Sequence, residues 1–315
     1  MILLSVHLIT YNNERHIEET LQSILKQNVD FDYEIVVGDD CSTDGTLNII
    51  ETYDAKHPNM FNIKKNSEQL GILKNFKATL DRCSGAFVFD IAGDDMLKTT
   101  DALQKMVNAL NGNHNLGFVD TGFDSYYEDT KTITIFNNKS IICGTKEAYK
   151  EAVLLGNIAP ISHCYRKDAL LKYVDFDTYK NMDITIEDYP ILVDMVMNTE
   201  FERINEPLCI YRSHNASYSH QKDLDKLVFQ KLQMKKLFDY FAKKYTFPNE
   251  IRKSYLSSHN KALLFYAGYF SNKKLGKEVY KVIKSKSLKD RIHYLASQYP
   301  TIRKLVSLRK SLKIN

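Results

Sequence analysis

The sequence has no tryptophan, only 6 proline and 12 glycine residues among 315, and 5 cysteines. So little proline and glycine argues against a collagen-like or low-complexity chain, and the 43% hydrophobic content is enough for a large core. The cysteines are odd in number, widely scattered and without a CxxC pair, which disfavours a disulfide framework or a structural zinc site and favours a reducing compartment. They are Cys41, Cys83, Cys143, Cys164 and Cys209.

Long hydrophobic runs are also missing. No stretch approaches the roughly 18 uninterrupted apolar residues that indicate a membrane-spanning helix. The N-terminal run in "MILLSVHLITYNNERH" has no basic residues before it and is soon broken by polar ones. This pattern indicates a first core strand and not a signal peptide, so we expect a cytoplasmic protein.

The net charge of +4 hides an uneven distribution. Residues 271–315 hold 13 Lys or Arg against 2 Asp or Glu, a charge of +11, which leaves −7 on residues 1–270. The tail mixes these basic residues with Leu, Ile, Val and Tyr, which suits peripheral binding to the anionic inner face of a cell membrane. A solvated helical face or a protomer contact in a homo-oligomer is the alternative. Nucleic acid is disfavoured as a partner, because the acidic body would repel a phosphate backbone.

The first hundred residues alternate strand patterns with helix patterns. Apolar runs of strand length alternate with stretches whose apolar residues recur at helical spacing. The strand candidates are "ILLSVHLI", "YEIVVG", "FNIKK" and "AFVFDIAG", and the helix candidates are "NERHIEETLQSILKQ", "DGTLNIIETYDAKH", "LGILKNFKATLDRC" and "TTDALQKMVNAL". Repeated strand–helix units of this length predict a Rossmann-like, doubly wound α/β fold with a mostly parallel sheet.

The pattern loosens after residue 115. "LGFVDTGFDSYY" and "KTITIF" indicate strands, "IEDYPILVDMVMN" indicates a helix, and "FERINEPLCIYRSH" suggests a hairpin. From about Lys222 the chain has helical patterns to its end. We therefore predict an α/β domain over residues 1–220, made of parts 1–110 and 111–220, and a helical, basic region over residues 221–315.

Polar clusters follow three of the predicted strands. They are Thr10-Tyr11-Asn12, Asp39-Asp40 and Asp94-Asp95. In open parallel sheets, ligands bind beyond the carboxyl ends of the strands, so one geometry would bring these clusters together. Each cluster alone has a simpler explanation, because strand-to-helix turns favour Thr, Asn and Asp.

Asp94 and Asp95 are the clearest candidates for a cation site. Mg²⁺ takes oxygen ligands, commonly one or two carboxylates together with substrate phosphates. The alternative is a solvated turn that starts the next helix. Asp40 has a similar pair of interpretations: its carboxylate can accept a hydrogen bond from a nucleobase or ribose, or it can belong to a helix-initiating loop.

The order, spacing and residue types over residues 1–110 resemble those of family-2 glycosyltransferases with the GT-A fold. The segments that carry the resemblance are "SVHLITYNNERHIEETLQSILKQ", "YEIVVGDDCSTDGT", "LGILKNFKATL" and "CSGAFVFDIAGDDM". The resemblance implies an inverting transferase that uses a nucleotide-diphosphate sugar.

The resemblance also implies roles for individual residues. Thr10, Tyr11 and Glu14 match the nucleotide-binding opening, and Asp40 matches the acid that holds the base. Lys74 and Asn75, in "GILKN", match a basic-Asn pair near the nucleotide. Asp94 and Asp95 match the DxD-type motif, with Asp95 as metal ligand and Asp94 near the ribose or metal.

One position departs from the family pattern. Many members read Asp-x-Asp-Asp, but this chain has Ala92 at the first place. Asp90 lies two residues earlier, and we expect its side chain to face elsewhere. The resemblance therefore implies a bound Mg²⁺ or Mn²⁺ that rests on fewer carboxylates than usual.

Two further segments have counterparts in the family. Glu187-Asp188, at the start of a predicted helix, matches its Glu-Asp pair near the acceptor, which makes Asp188 the expected general base and Glu187 its neighbour. Both acids can equally complement a helix N-terminus. In "YRSHNAS", residues 211–217, Arg212 and His214 are expected to contact the diphosphate, or else to lie in a solvated loop. The segment "PISHCYRKD" around His163 is a further candidate for lining the acceptor groove, and the alternative is that this lone histidine is structural.

The resemblance implies a hexosyl- or N-acetylhexosaminyl-transferase. The expected donor is a UDP-sugar, and the expected acceptor is a hydroxyl of a saccharide or lipid-linked molecule in bacterial surface polysaccharide synthesis. The alternative is a module that binds nucleotide sugars at the membrane without turnover.

Overall fold

The computed structural model describes residues 2–136, 139–158, 161–214 and 223–303, apart from the side chains of Ser140 and Ile142. The chain divides into two compact units, Met1–Ser217 and Tyr218–Asn315.

The first half of unit 1 is a run of strand–helix units, as predicted. Its elements are β1 (Leu4–Thr10), α1 (Ile17–Leu25), β2 (Tyr33–Asp39), α2 (Thr46–Lys56), β3 (Phe61–Lys65), α3 (Ile72–Leu80) and β4 (Phe87–Ala92). The four strands pair in parallel in the order β3-β2-β1-β4. Since β1 lies at the centre of this group, the ends of β2 and β4 flank it on either side.

The second half of unit 1 extends the same sheet with mixed pairing. Its elements are β5 (Met96–Leu97), α4 (Ala102–Gly112), β6 (Leu116–Tyr127), β7 (Thr132–Thr134), α5 (Lys139–Ile142), α6 (Lys146–Leu154), β8 (His163–Arg166), α7 (Lys167–Tyr173), α8 (Phe176–Asn181), α9 (Asp188–Asn198) and β9 (Glu200–Ser213). The sheet continues from β4 as β8-β6-β9-β5, and β7 pairs with β6. β8 is antiparallel to both of its neighbours. The α/β fold is confirmed, with a sheet that is parallel in one half and mixed in the other.

The predicted hairpin over residues 201–214 is wrong. β9 is a single strand of 14 residues that runs parallel to β6. The pairing jumps from Ile204 opposite Thr121 to Pro207 opposite Gly122. The pairing with β6 thus skips Asn205 and Glu206 and then Leu208, and the strand continues in the same direction past Pro207.

The two faces of the central strands carry different side chains. Val6, Leu8, Phe89 and Ile91 point to one face and join the main hydrophobic core with α1 and α4. The alternating residues of the same strands point to the opposite face, where α3 packs. There the buried His7 ring donates through Nε2 to the carbonyl oxygen of Phe76, 2.9 Å away. That second face carries the polar groups that matter for the site.

Unit 2 is helical over its described residues, as the sequence indicates. The helices are α10 (Leu224–Lys244), α11 (Asn249–Phe270), α12 (Lys273–Val282) and α13 (Leu288–Gln298). A small core packs α11 against α12, and a capping box of Ser287 and Asp290 begins α13. Among the described residues, no helix has the length and apolar character to cross a bilayer. Residues 304–315 of the basic tail lie outside the described part.

Candidate active site

The three polar strand ends meet at one edge of the sheet. The main-chain N–H of Asp40 donates to the carbonyl oxygen of Thr10 at 2.9 Å, which joins the ends of β2 and β1. On the other side of β1, the N–H of Gly93 donates to the carbonyl oxygen of Ile9, also at 2.9 Å. Parallel pairing at matching heights therefore brings together residues that are more than 80 positions apart in the chain.

The loop after β1 is attached to the loop after β2. Asn12, with φ of 52°, accepts the N–H of Thr43 at 2.9 Å. The carboxylate of Glu14 accepts the N–H of Gly45 at 2.8 Å. Glu14 thus holds the two loops together, while the Tyr11 side chain between them is 41% exposed and presents a ring surface to solvent.

Asp40 is a buried carboxylate with several protein donors. Its Oδ1 accepts from the Leu70 N–H at 2.7 Å and from the Asn66 side chain at 3.1 Å. Its Oδ2 accepts from the Gly71 N–H at 2.9 Å. A carboxylate offers about four acceptor positions, so Asp40 organises the loop before α3 and keeps capacity for one more donor.

Lys74 and Asn75 are adjacent in the sequence but differ in their surroundings. The Asn75 amide is buried, donating to the carbonyl oxygen of Gly38 at 2.9 Å and accepting from Asn66 at 2.8 Å. Lys74 is exposed on α3. Asn75 therefore attaches α3 to β2, and Lys74 is the member of the pair that can reach a ligand.

Asp94 and Asp95 are held by the residues that end β9. Asp95 is buried, and its Oδ1 accepts the main-chain N–H of Arg212 at 2.9 Å. The Asp94 carboxylate lies 2.9 Å from Nε2 of His214. The two-residue β5 that follows pairs antiparallel with β9 and aligns these groups, and this strand has no sequence signal strong enough to predict it.

The Arg212 guanidinium lies inside the protein. Nε donates to the main-chain carbonyl of Asp94 at 3.0 Å, and one terminal nitrogen hydrogen-bonds the Glu19 carboxylate. The guanidinium also lies over the Tyr126 ring, 5.6 Å from its centroid. The Arg212 side chain is only 5% exposed, so these contacts attach the Asp94–Asp95 turn to α1 and β6.

The environment of Asp95 suits a cation. Burial, with the nearby charges of Asp94 and Asp90, raises the pKa of the Asp95 carboxyl well above its usual range. A divalent cation would offset this repulsion, and carboxylate oxygens are suitable ligands for Mg²⁺ and Mn²⁺. The donor set therefore fits the metal that the resemblance implies.

Glu187 and Asp188 begin α9 beside β4 and form an acidic group with Asp90. Burial raises the pKa of Glu187 well above its usual range, with further contributions from the charges of Asp188 and Asp90. Burial also raises the pKa of Asp188, against hydrogen bonds that include the Tyr189 N–H at 2.6 Å. Glu187, which precedes the helix, makes no capping hydrogen bond with its side chain, whereas the Asp188 carboxylate accepts an N–H of the first turn.

The expectation that Asp90 faces elsewhere is wrong. Side chains alternate along a strand, so Asp90 shares a face with Ala92, and its charge reaches Glu187, Asp188 and Asp95. Its Oδ1 lies 2.7 Å from Nδ1 of His7 on the neighbouring β1. The contact could not be predicted from sequence patterns, because it depends on the strand register that places His7 opposite Asp90.

His163 does not line a groove, because its side chain is 1% exposed. It lies in the interior with Asp120, 3.3 Å away, and with the Tyr149 hydroxyl, 3.2 Å away. Burial lowers the pKa of His163 to about 3, so the ring is neutral. The proposed contact between His163 and an acceptor is therefore wrong.

A separate cavity of about 780 Å³ opens among α6, α7 and the starts of β6 and β9. Lys146, Arg166 and Lys172 are among its lining residues. None of the predicted site residues lines it, because it lies where β6 and β9 begin and the polar clusters lie where the parallel strands end.

Known proteins resemble this chain over most of its length. The model of Glycosyl transferase family 2 matches residues 5–174. The uncharacterized protein Rv1520 of Mycobacterium tuberculosis is 26% identical over 227 residues, which are 72% of this chain and 63% of that protein. The chain thus spans less than two thirds of that relative. The abequosyltransferase RfbV of Salmonella typhimurium is 26% identical over 261 residues, 77% of this chain and 76% of its own length.

Solved structures share the fold. Staphylococcus aureus TarS 1–349 in complex with UDP-GlcNAc has a TM-score of 0.51 at 19% identity, over 98% of this chain and 92% of TarS 1–349. The mannosyltransferase PcManGT of Pyrobaculum calidifontis, in complex with GDP-Man and Mn²⁺, has a TM-score of 0.57 at 14% identity, over 98% and 84% of the two chains. With the family match over residues 5–174 and the GT-A fold in common, this chain belongs to glycosyl transferase family 2.

Proposed function

We propose that the protein is an inverting glycosyltransferase that moves a hexosyl or N-acetylhexosaminyl group from a UDP-sugar to an acceptor hydroxyl. The observation that carries the proposal is the meeting of Thr10, Asp40 and the Asp94–Asp95 pair at one sheet edge. The structure of TarS with UDP-GlcNAc supports UDP as the nucleotide.

The nucleotide would bind between the first two strand ends. The exposed Tyr11 ring supplies a stacking surface, and the remaining acceptor position of Asp40 suits the N–H of a uracil base. Lys74, whose side chain is exposed on α3, would supply a cation for the phosphate on that side. Thr10, Glu14 and Asn75 contribute mainly by holding the loops, and His214 by its contact with Asp94.

Asp94 and Asp95 are the proposed ligands of Mg²⁺ or Mn²⁺. A cation bound there supplies Lewis-acid stabilisation of the negative charge that develops on the leaving diphosphate. The raised pKa of Asp95 supports this assignment, because a nearby cation would stabilise its carboxylate as an anion beside the charge of Asp94. In PcManGT the cation is Mn²⁺.

Asp188 is the proposed general base, with Glu187 beside it. In the transfer step, an acceptor hydroxyl gives its proton to the Asp188 carboxylate and its oxygen bonds to the anomeric carbon. The bond from that carbon to the phosphate oxygen breaks on the opposite face, and the nucleoside diphosphate leaves with the electron pair. Burial and the charge of Asp90 raise the pKa of Asp188, which makes its carboxylate a stronger base.

The substitution Asp188→Asn tests the assignment. We expect a decrease of roughly 10²–10⁴-fold in turnover with UDP affinity retained, as for loss of a general base. Asp177→Asn, an exposed acid in the first turn of α8, is the control and should keep full turnover. Near-normal turnover by Asp188→Asn would remove it from this role.

Catalysis itself is tested by first identifying the nucleotide sugar that the protein binds. A panel of nucleotide sugars, scored by thermal shift with and without Mn²⁺, should single out one donor, since a ligand stabilises the folded state that binds it. Hydrolysis or transfer of that donor separates an enzyme from a binding module. Binding without either reaction, across saccharide and lipid-linked acceptors, would support the non-catalytic alternative.

We also propose a peripheral contact of unit 2 with an anionic membrane, where a lipid-linked acceptor would be available. Four exposed lysines lie on α12, namely Lys273, Lys274, Lys277 and Lys281, and Val282 and Leu288 nearby are 58% and 74% exposed.

We expect the protein to co-sediment with vesicles that contain phosphatidylserine and not with vesicles of pure phosphatidylcholine. The double substitution Lys277→Glu and Lys281→Glu should weaken it by about 10-fold or more, at about 1 kcal/mol for each basic residue lost and more for reversal. Unchanged binding would favour a homo-oligomer contact.

A further inference from the structure

Asp90 and His7 form a hydrogen-bonded pair on the face of the sheet where α3 packs. They occupy opposite positions of β4 and β1, and Oδ1 of Asp90 lies 2.7 Å from Nδ1 of His7. The His7 side chain is fully buried, whereas the Asp90 side chain is 22% exposed. The pair is therefore anchored in the interior at its histidine and reaches solvent at its carboxylate.

The hydrogen bonds of His7 determine how its ring is protonated. Nε2 lies 2.9 Å from the carbonyl oxygen of Phe76, and Nδ1 faces the carboxylate of Asp90. A carbonyl and a carboxylate can only accept, so both ring nitrogens donate and the ring is an imidazolium cation. The separation of 2.7 Å is that of a charge-assisted hydrogen bond. His7 thus fixes the direction of the Asp90 carboxylate and balances its charge.

The second oxygen of Asp90 keeps its acceptor positions. Within the described residues, no N–H or O–H group donates to Oδ2 of Asp90. The neighbouring strand β8 pairs with β4 only as far as Phe89, which lies opposite Cys164. Ala92, the next residue of β4 on the same face, adds only a methyl group towards the sheet edge. A ligand at this edge can therefore reach Oδ2.

The charge of Asp90 connects it with both halves of the proposed reaction. It acts on Asp95, the proposed cation ligand beside the diphosphate, and on Asp188, the proposed general base. In an inverting transfer, the anomeric carbon lies between the leaving phosphate and the incoming hydroxyl. The sugar that is transferred would therefore lie close to the Asp90 carboxylate.

We infer that Asp90 is a substrate-binding residue whose Oδ2 accepts a hydrogen bond from a hydroxyl group of the transferred sugar, and that His7 is the positioning residue that holds it. This role of Asp90 rests on the proposed function, because it needs a nucleotide sugar at this edge of the sheet. It adds to that function a carboxylate that recognises the sugar and not the nucleotide, and that lies outside the Asp94–Asp95 pair.

The test compares sugar and nucleotide by calorimetry in Mg²⁺, with UDP, UDP-glucose and UDP-GlcNAc as probes. We expect the parent protein to bind one of the two nucleotide sugars more tightly than UDP, and the absence of such a preference would overturn the inference. Asp90→Asn keeps the acceptor that faces His7 but replaces Oδ2 by an amide donor. It should weaken binding of that nucleotide sugar about 10- to 100-fold, as for loss of a hydrogen bond to a charged group, and leave UDP affinity within about 3-fold. Asp177→Asn, an exposed acid on α8, is the matched control and should bind all three probes like the parent protein.

His7 is tested through its dependence on Asp90. His7→Gln should weaken binding of the nucleotide sugar without changing that of UDP. The double variant with Asp90→Asn should bind no more weakly than Asp90→Asn alone, because residues that act through one contact are not additive. A purely structural histidine would weaken both ligands alike and its effect would add to that of Asp90→Asn, which would remove the positioning role.

Deoxy sugars provide a measurement on the unsubstituted protein, which covers the case in which the variants do not fold. Analogues of the preferred nucleotide sugar, each lacking one sugar hydroxyl, are titrated into the parent protein. One analogue should bind about 10- to 100-fold more weakly, because it leaves the acceptor of Asp90 unpaired.

Two results would overturn the inference while the proposed function stands. They are equal binding of all the deoxy analogues, and an unchanged preference for the nucleotide sugar over UDP in Asp90→Asn. A parent protein that binds none of the probes would contradict the proposed function itself, and with it the role of Asp90.

Discussion

Arg212 provides the sharpest test of the structure against the sequence, because the two assign it different tasks. The family resemblance implies a contact with the diphosphate. In the structure its guanidinium is committed to the Asp94 carbonyl and to the Glu19 carboxylate, and it covers the Tyr126 ring. The substitution Arg212→Ala should therefore act first on the stability of unit 1.

The expected loss follows from these contacts. Removing one partner of a fully buried ion pair costs about 3–5 kcal/mol, mainly because the other charge stays buried. Here the Glu19 side chain is 58% exposed, so water can solvate its charge and the cost of leaving it unpaired is small. What remains is the partly buried Asp94 carbonyl without its donor and the lost packing on Tyr126. Together they give about 2–3 kcal/mol of lost unfolding free energy.

The assay is urea unfolding followed by fluorescence or circular dichroism, with UDP affinity measured by calorimetry on the folded fraction. Arg212→Lys should lose about 1–2 kcal/mol, because lysine keeps the charge but cannot reproduce the planar donor arrangement. Arg15→Ala removes an exposed arginine from the neighbouring loop and should change stability by no more than about 0.5 kcal/mol.

The opposite pattern would refute this reasoning. If Arg212→Ala unfolds like the parent protein but binds UDP at least 10-fold more weakly, the guanidinium is a phosphate ligand and the buried contacts do not describe its role. If both properties change, Arg212→Lys distinguishes the two roles. A phosphate contact would keep part of its strength with any cation, so the lysine variant would then retain part of the UDP affinity.

Three further predictions concern other parts of unit 1. Burial raises the pKa of Asp120 to about 8, so between pH 6.5 and 8 the unfolded chain has already lost the proton that the folded chain keeps, and stability falls as pH rises. In Asp120→Asn the unfolding free energy should no longer fall with pH by this contribution, which is up to about 1.4 kcal/mol per pH unit. Urea midpoints that change with pH as steeply as those of the parent protein would contradict the prediction. A Cβ on Gly85 would lie 2.5 Å from the main-chain nitrogen of Ser5, so Gly85→Ala should lower the unfolding free energy by about 1–3 kcal/mol in the same assay, and parental stability would argue against this packing. Tyr11→Ala should weaken UDP binding about 5- to 100-fold without loss of stability, since its exposed ring contributes stacking of about 1–3 kcal/mol; calorimetry showing equal affinity would exclude that contact.

The sequence was sufficient for elements whose evidence is local. Apolar runs of strand length and helical spacing predicted β1 to β4 and the helices between them, because each pattern reflects one buried face. The order of the polar clusters along the chain was enough to expect them at one edge, since parallel strands share the direction of their ends. The same local reasoning failed at β9. A proline at a register shift within one strand cannot be distinguished by sequence from a proline in a turn between two strands.

The site required tertiary structure for a different reason. An arginine such as Arg212 is a residue type that commonly binds phosphate. Its burial against Glu19 and Tyr126 shows instead that it holds the Asp94–Asp95 turn in place. Asp90 gained its importance from His7, a partner 83 residues away on the adjacent strand.

Residue types and their spacing were enough to establish the α/β class, the family and the candidate acids. The three-dimensional structure was needed to show which carboxylates share a charge environment and which cations are already paired inside the protein. It also brought His16 to Glu128, 112 positions away, and to His214. Such contacts depend on strand register and packing across the whole sheet, and a change of one residue in the register of β4 would place the Asp90 side chain on the other face.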